Sequence, residues 1–235
     1  TDGGSPVTQK LTDIGAVVFD AYGTLFDVAA AARHCAAELG DDWPRLAEVW
    51  RDKQVQYTWL RTAMGRFEDF WHVTGSALDY ALAAIGRDDP GLRARLMELY
   101  LHLAPFPEAR GTLETLRGRG LRTGILSNGS VTMLTAAVKN AGLKDALDAV
   151  LSVDKLGIYK PRPEVYQLAC DRFGKDPGDI AFLSSNAWDV AGAAVFGFKT
   201  VWVNRGGGRL EELPGRPVAE IADLAALPDL IEPTV

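Results

Sequence analysis

The sequence predicts an α/β protein of three layers: a Rossmann-like parallel sheet with helices on both faces and a helical subdomain inserted as a cap. Three observations carry this. From Glu108 to Val203 strand-like and helix-like segments alternate, a rhythm that demands parallel pairing with right-handed crossovers. Near the N-terminus, residues 15–19 form a short continuous apolar run, the pattern of a strand buried on both faces. Between the two, residues 29–105 show helical periodicity and no strand pattern. The core is therefore expected from residues 1–28 and 106–235, and the cap from 29–105.

The first strand ends at Asp20, and Ala21, Tyr22, Gly23 and Thr24 follow it. A glycine and a small hydroxyl residue suit a tight loop whose backbone N–H groups turn back toward the carboxylate. In open α/β sheets reactive groups collect at the carboxyl ends of strands, so Asp20 is a site candidate. Taken alone it is equally a turn former or a helix N-cap.

In the inserted block, an alanine-rich helix is expected over 29–39, closed by Gly40. A longer one runs from Pro44 to Met64, with the proline in its first turn and Gly65 just past its end. Its apolar stripe of Leu46, Val49, Trp50, Tyr57, Leu60 and Met64 is expected to pack on neighbouring helices. Arg51 lies off that stripe and shares a narrower one, at i, i+4 and i+8, with Val55 and Trp59. A guanidinium so placed either snorkels to water or faces an enclosed anion. Further helices are expected over 67–85 and 90–103, and Pro105 and Pro107 stiffen the return connection.

The alternating part then places helices over 108–119, 131–141, 163–173 and 188–196, with strands over 122–126, 149–152, 180–183 and 199–203. After the second strand come Ser127 and Asn128. Lys160 follows the third, and Ser184, Asn186 and Asp189 follow the fourth. Each has an ordinary role as turn former, solvated lysine or first-turn acid. Their joint placement at successive strand ends makes independent accident a poor account.

Composition narrows the classes. Of the 235 residues 47% are apolar and 24% charged, the net charge is −6, and no long Lys/Arg run occurs. A soluble globular protein fits; a nucleic-acid surface or an anionic-membrane binder does not. No apolar run reaches membrane-spanning length, and residues 1–10 lack the apolar stretch of a signal peptide and read as a loose tail. Cys35 and Cys170 match no metal or redox pattern and are expected reduced, in the cytoplasm. His34, His72 and His102 lack helical metal-site spacing.

Five blocks then stand in order: FDAYGTLFDV at 19–28, WRDKQVQYTWLR at 50–61, LSNGS at 126–130, YKPRPEVY at 159–166 and SSNAWDVAGAAVFGF at 184–198. On these the chain resembles the haloacid dehalogenase superfamily, and within it the L-2-haloacid dehalogenases. Most of that superfamily are Mg²⁺-dependent phosphohydrolases with Asp-x-Asp after the first strand and Gly-Asp-x-x-x-Asp after the fourth. Here Tyr22 and Ser185 replace two of those acids. Mg²⁺ needs hard oxygen ligands, usually carboxylates, so phosphoryl transfer is disfavoured.

The resemblance implies hydrolysis of short-chain L-2-haloacids to D-2-hydroxyacids and halide, with no metal or organic cofactor. Asp20, ionised at neutral pH, attacks C2 and forms an ester. Lys160, Thr24 and backbone N–H groups keep it charged and aimed, and Arg51 receives the halide. Ser127 and Asn128 hold the substrate carboxylate, with Asn128 also near the halide. Tyr22, Val55, Phe70 and Trp188 form an apolar lining. Asp189, assisted by Lys160, activates water, with Ser184, Asn186 and Tyr166 placing it. A homodimer is implied as well. Competing expectations are azetidine-2-carboxylate opening by the same nucleophile, a residual Mg²⁺-dependent phosphatase, and a silent interaction domain.

Overall fold

The computed structural model describes residues 9–233. The tail at residues 1–8, expected to be loose, lies outside the described residues, and only Gln9 and Lys10 of it are seen. Strand β1 (Leu11–Ile14) precedes β2 (Ala16–Phe19), whose four residues are fully buried. β2 pairs in parallel with both β3 (Arg122–Ser127) and β5 (Ile180–Ser184), which accounts for its unbroken apolar run. With β4 (Ala149–Ser152), β6 (Lys199–Val203) and β7 (Ala219–Ile221), the main sheet has the order β4-β3-β2-β5-β6-β7. The chain winds outward from β2 on one side, then returns and winds outward on the other. β2 therefore stands at the switch point, and because crossovers are right-handed the reversal puts helices on opposite faces.

Those helices are α6 (Ala109–Gly118), α7 (Val131–Asn140), α8 (Pro163–Phe173) and α9 (Ala187–Phe196). A short α10 (Leu227–Leu230) leads into β8 (Ile231–Pro233), which pairs with β1 in a separate two-stranded sheet. β1, β7 and β8 are absent from the sequence-based expectation.

Between β2 and α6 the chain is helical: α1 (Ala30–His34), α2 (Ala36–Leu39), α3 (Trp43–Met64), α4 (Phe70–Ala84) and α5 (Pro90–Leu101). The single helix expected over 29–39 is broken at Cys35, whose φ of −94° and ψ of 13° leave the helical region. The start of α4 is fixed by Asp69, whose side chain accepts from His72 N at 2.8 Å, and that of α5 by Asp89, which accepts from Gly91 N and Leu92 N. α3 ends at Gly65 with φ 62°, a left-handed cap that glycine adopts without strain.

One expectation about α3 is corrected. Leu46 and Trp50 are buried, but Leu60 is 49% and Met64 63% exposed, so the far end of the apolar stripe faces out of the fold.

The outgoing and returning connections pair with each other at the base of this helical segment. Phe26 and Pro105 form an antiparallel bridge, Phe106 N donates to Leu25 O at 2.8 Å, and Asp27 N donates to Ala104 O at 3.2 Å. No helix among the described residues is long and apolar enough to cross a membrane.

Candidate active site

Phe19 is level with Ile125 and Leu183 in the sheet, so Asp20, Ser127 and Ser184 emerge at one edge within about a residue step. Asp20 N still bonds to Leu183 O at 2.8 Å, which holds the Asp20 main chain in the ladder as its side chain leaves it. Asp20 is 5% exposed.

Its carboxylate is held from three directions. Lys160 Nζ donates to Oδ1 at 3.1 Å, and Asn186 Nδ2 donates to Oδ2 at 3.1 Å, with a longer bond from Thr24 Oγ1 at 3.4 Å. The backbone N–H donors expected from the loop are not there: among the described residues none donates to this carboxylate. The loop residues 23–26 spend their N–H groups on Phe26 O and Ala21 O instead, and the Asn186 amide takes the vacant role. Thr24 has a second task that the sequence did not suggest, accepting from Ser185 N at 2.8 Å and so tying the β2 loop to the β5 loop.

Lys160 is shared. Its Nζ also donates to Asp189 Oδ2 at 2.8 Å, while Tyr166 OH donates to Asp189 Oδ1 at 2.8 Å. Gly192 permits this approach, since a Cβ there would sit 2.5 Å from Pro161 and 2.8 Å from the Tyr166 hydroxyl. Burial alone would lower the Lys160 pKa, but the Asp189 and Asp20 carboxylates outweigh it and the ammonium is held above its usual range. For Asp189 burial dominates and raises its pKa, against the opposing pull of Lys160. Tyr166 is pushed well up by burial and by Asp189, so its hydroxyl stays a donor. The result is one ammonium between two buried carboxylates.

Above this cluster lies a narrow cavity of only about 20 Å³. Tyr22, Val55, Phe70 and Trp188 supply its apolar wall, and Asp20, Arg51, Ser127, Asn128 and Asn186 its polar one. All nine were candidates from the sequence. Thr58, also on the wall and fully buried, was missed; its signal was its position two turns beyond Arg51 on the same helix. The Tyr22 ring stacks on Tyr100 of α5, centroids 5.6 Å apart, and packs against Phe70 of α4 at 5.8 Å. This aromatic contact joins the β2 loop to the helical layer.

Arg51 does not snorkel. It reaches from α3 into the cavity, where Nη2 donates to Asn186 Oδ1 at 3.0 Å and to Tyr22 O at 3.3 Å. Asn186 thus accepts from a guanidinium at one end of its amide and donates to Asp20 at the other. Ser184 Oγ accepts from Asn186 N at 3.1 Å and fixes that loop. Ser127 Oγ accepts from Gly129 N at 3.0 Å, and Asn128 Oδ1 accepts from Lys160 N at 3.0 Å, so both strand-end polar groups buttress the loops while bordering the cavity.

Chemically, the arrangement offers a carboxylate beside a polarising ammonium, a second carboxylate whose proton affinity is raised, and a cation on the cavity wall. None of the three histidines borders the cavity.

Comparison with known proteins finds relatives over most of the chain. Residues 14–197 match the family model of the haloacid dehalogenase-like hydrolases. The chain is 45% identical to (S)-2-haloacid dehalogenase 1 of Pseudomonas sp. (strain CBS-3), covering 93% of this chain and 96% of that one. It is 49% identical to (S)-2-haloacid dehalogenase 4A of Burkholderia cepacia over 82% and 84% of the two chains. The fold superposes on the L-2-haloacid dehalogenase of Xanthobacter autotrophicus with chloropropionic acid covalently bound, with TM-score 0.84, 38% identity and coverage of 92% and 98%. With that sequence, sheet order and relatedness together, the chain belongs to the haloacid dehalogenase-like hydrolases and, among them, to the (S)-2-haloacid dehalogenase family.

Proposed function

We propose that the protein hydrolyses short-chain L-2-haloacids to D-2-hydroxyacids and halide through an ester on Asp20. The observation that carries this is the Lys160 ammonium bridging Asp20 and Asp189 directly beneath a cavity that Arg51 enters from the opposite wall. Relatives named (S)-2-haloacid dehalogenase, and a solved structure of one with chloropropionic acid covalently bound, support the same reading.

In the first step an Asp20 carboxylate oxygen displaces halide from C2, opposite the carbon–halogen bond, and inverts the centre. No base is needed, because the nucleophile is already ionised. Lys160, Asn186 and Thr24 orient it. The halide's developing charge falls to Arg51, and the substrate carboxylate to Ser127 and Asn128. Tyr22, Val55, Phe70 and Trp188 enclose the short alkyl group and exclude water.

In the second step water adds to the ester carbonyl carbon of Asp20. Asp189 takes the water's proton; its raised pKa makes it a better base than an ordinary carboxylate. Tyr166, Lys160, Ser184 and Asn186 hold it and the water in place. The acyl–oxygen bond then breaks, the departing alkoxide takes back the proton held by Asp189, the hydroxyacid leaves, and Asp20 retains one oxygen from water while the water's second proton passes to solvent.

The helical segment 29–105 acts as a cap over the site in this scheme. Leu60, Met64 and Tyr80 form an exposed apolar face on α3 and α4, on the side of α3 away from Arg51 and Val55, and we assign it to a homodimer contact; sedimentation at micromolar concentration should give twice the chain mass. Cytoplasmic residence is consistent with Cys35 and Cys170, both buried and free.

The test is a single turnover in heavy-oxygen water. Label should enter Asp20 of the enzyme and be missing from the first hydroxyacid released. Label appearing directly in the product would remove the ester from the scheme, as would halide release at near-normal rate by Asp20→Asn.

A further inference from the structure

Trp188 borders two spaces. One is the cavity over Asp20; the other is a groove of about 600 Å³ that it shares with Trp59, Thr62, Ala63, Pro161 and Leu213. The Trp59 ring meets Trp188 edge-on, with centroids 5.3 Å apart and planes at 88°. The Trp188 indole separates cavity from groove, and Trp59 backs it from the groove side. The outer indole keeps an open side, with Trp59 39% exposed.

Helix α3 runs along both spaces. Arg51 and Val55 border the cavity, and Trp59 and Ala63 border the groove. These four recur every fourth residue, so they lie on one side of the helix, and with a rise of 1.5 Å per residue they span roughly 18 Å. The series noted in the sequence as Arg51, Val55 and Trp59 therefore continues outward as a single wall, of which the displacement chemistry uses only the inner half.

The cavity itself is too tight for a long substituent at C2. The groove lies within the 300–1,000 Å³ range, about what small-molecule sites occupy. Indole, proline, alanine and leucine side chains make up most of its lining. Of the two cationic residues on its lining, Lys160 is committed to Asp20 and Asp189, and Arg162 is engaged by Glu164, with Nε donating to Oε2 at 3.1 Å. A saturated hydrocarbon chain suits such a surface, and a charged or strongly polar tail does not.

We propose that this groove is a second subsite, taking the alkyl chain of L-2-haloacids longer than the cavity can enclose, with Trp59 as the residue that yields to admit it. The inference rests on the dehalogenase reading above and extends its substrate range. Each methylene moved from water onto the groove adds roughly fourfold to apparent affinity when fully buried.

The experiment compares kcat/KM for (S)-2-bromooctanoate with that for (S)-2-bromopropionate in the wild type, in Ala63→Trp and in Trp59→Ala. Taking the ratio within each protein cancels losses from misfolding or damaged chemistry. The wild type should process both acids. Filling the groove with Ala63→Trp should lower the octanoate-to-propionate ratio about tenfold or more, the effect of about two lost methylene contacts. Trp59→Ala, which removes the ring backing Trp188, should raise it. A wild type active on propionate but not on octanoate, or a ratio unmoved by Ala63→Trp, overturns the subsite. A ratio that falls in Ala63→Trp but does not rise in Trp59→Ala upholds the groove and overturns Trp59 as its gate. No halide from either acid overturns the dehalogenase reading itself, and the subsite with it.

Discussion

The charged groups under the cavity and the helices over it hold their positions by different means. Below, Lys160, Asp20, Asp189 and Tyr166 are nearly or fully buried and bonded to one another. Each ion there is tolerable only because of its neighbours. Above, the polar links across the cleft are few. Arg51 donates to Asn186 and to Tyr22 O, Tyr159 N donates to Thr62 Oγ1 at 3.2 Å, and Tyr159 OH donates to Glu68 O. The rest is aromatic packing. Disturbing the lower set should therefore damage folding and chemistry together, and disturbing the upper set chemistry alone.

The most severe test of that contrast is Lys160→Met. Two buried carboxylates then face each other without a cation, and stability should fall by about 3–5 kcal/mol, the range for breaking a buried pair. Halide release should vanish as well. Denaturant melts of the purified variant decide it: a near-normal midpoint would mean that the cluster is less interdependent than its geometry implies.

Arg51→Ala separates the two regions from the other side. Turnover should drop by about 10²–10³-fold, as for removal of one preorganised electrostatic group, while stability changes by about 1 kcal/mol or less. A collapsed melting temperature accompanied by a mild loss in turnover would make Arg51 a structural strut and erase the distinction.

The smallest effect sharpens the account of the lower set. Tyr166→Phe removes a donor to Asp189 Oδ1 and with it some stabilisation of the charged carboxylate. The Asp189 pKa, already raised by burial above the ordinary 3.8, should rise further. Because the base must be deprotonated, activity is lost as pH falls through that pKa, and the acid limb of the pH–rate profile should move to higher pH. A limb that stays or moves down assigns the base to another group.

The parts of the molecule legible in the sequence share a reason. β2 and the strands beside it are buried on both faces, and a sheet interior writes itself as an apolar run; the reactive groups follow because they must sit where such runs stop. β1, β7 and β8 escaped because they are three or four residues long and carry polar side chains such as Thr12, Asp13 and Glu220. Asn186 as the donor replacing backbone N–H groups could not be read from spacing, since it depends on which way two loops turn. The break at Cys35 was hidden by alanines that favour a helix regardless of its continuity. Arg51 was ambiguous by pattern alone, because snorkelling and anion binding place a guanidinium on the same stripe.

The antiparallel contact between Phe26 and Pro105 has a bearing on how this architecture diversifies. Departure and return points of residues 27–104 are hydrogen-bonded neighbours, so the whole segment plugs into the sheet through one doorway. A change of length within it leaves the register of the strands below as it is, since both of its ends join the sheet at the same place.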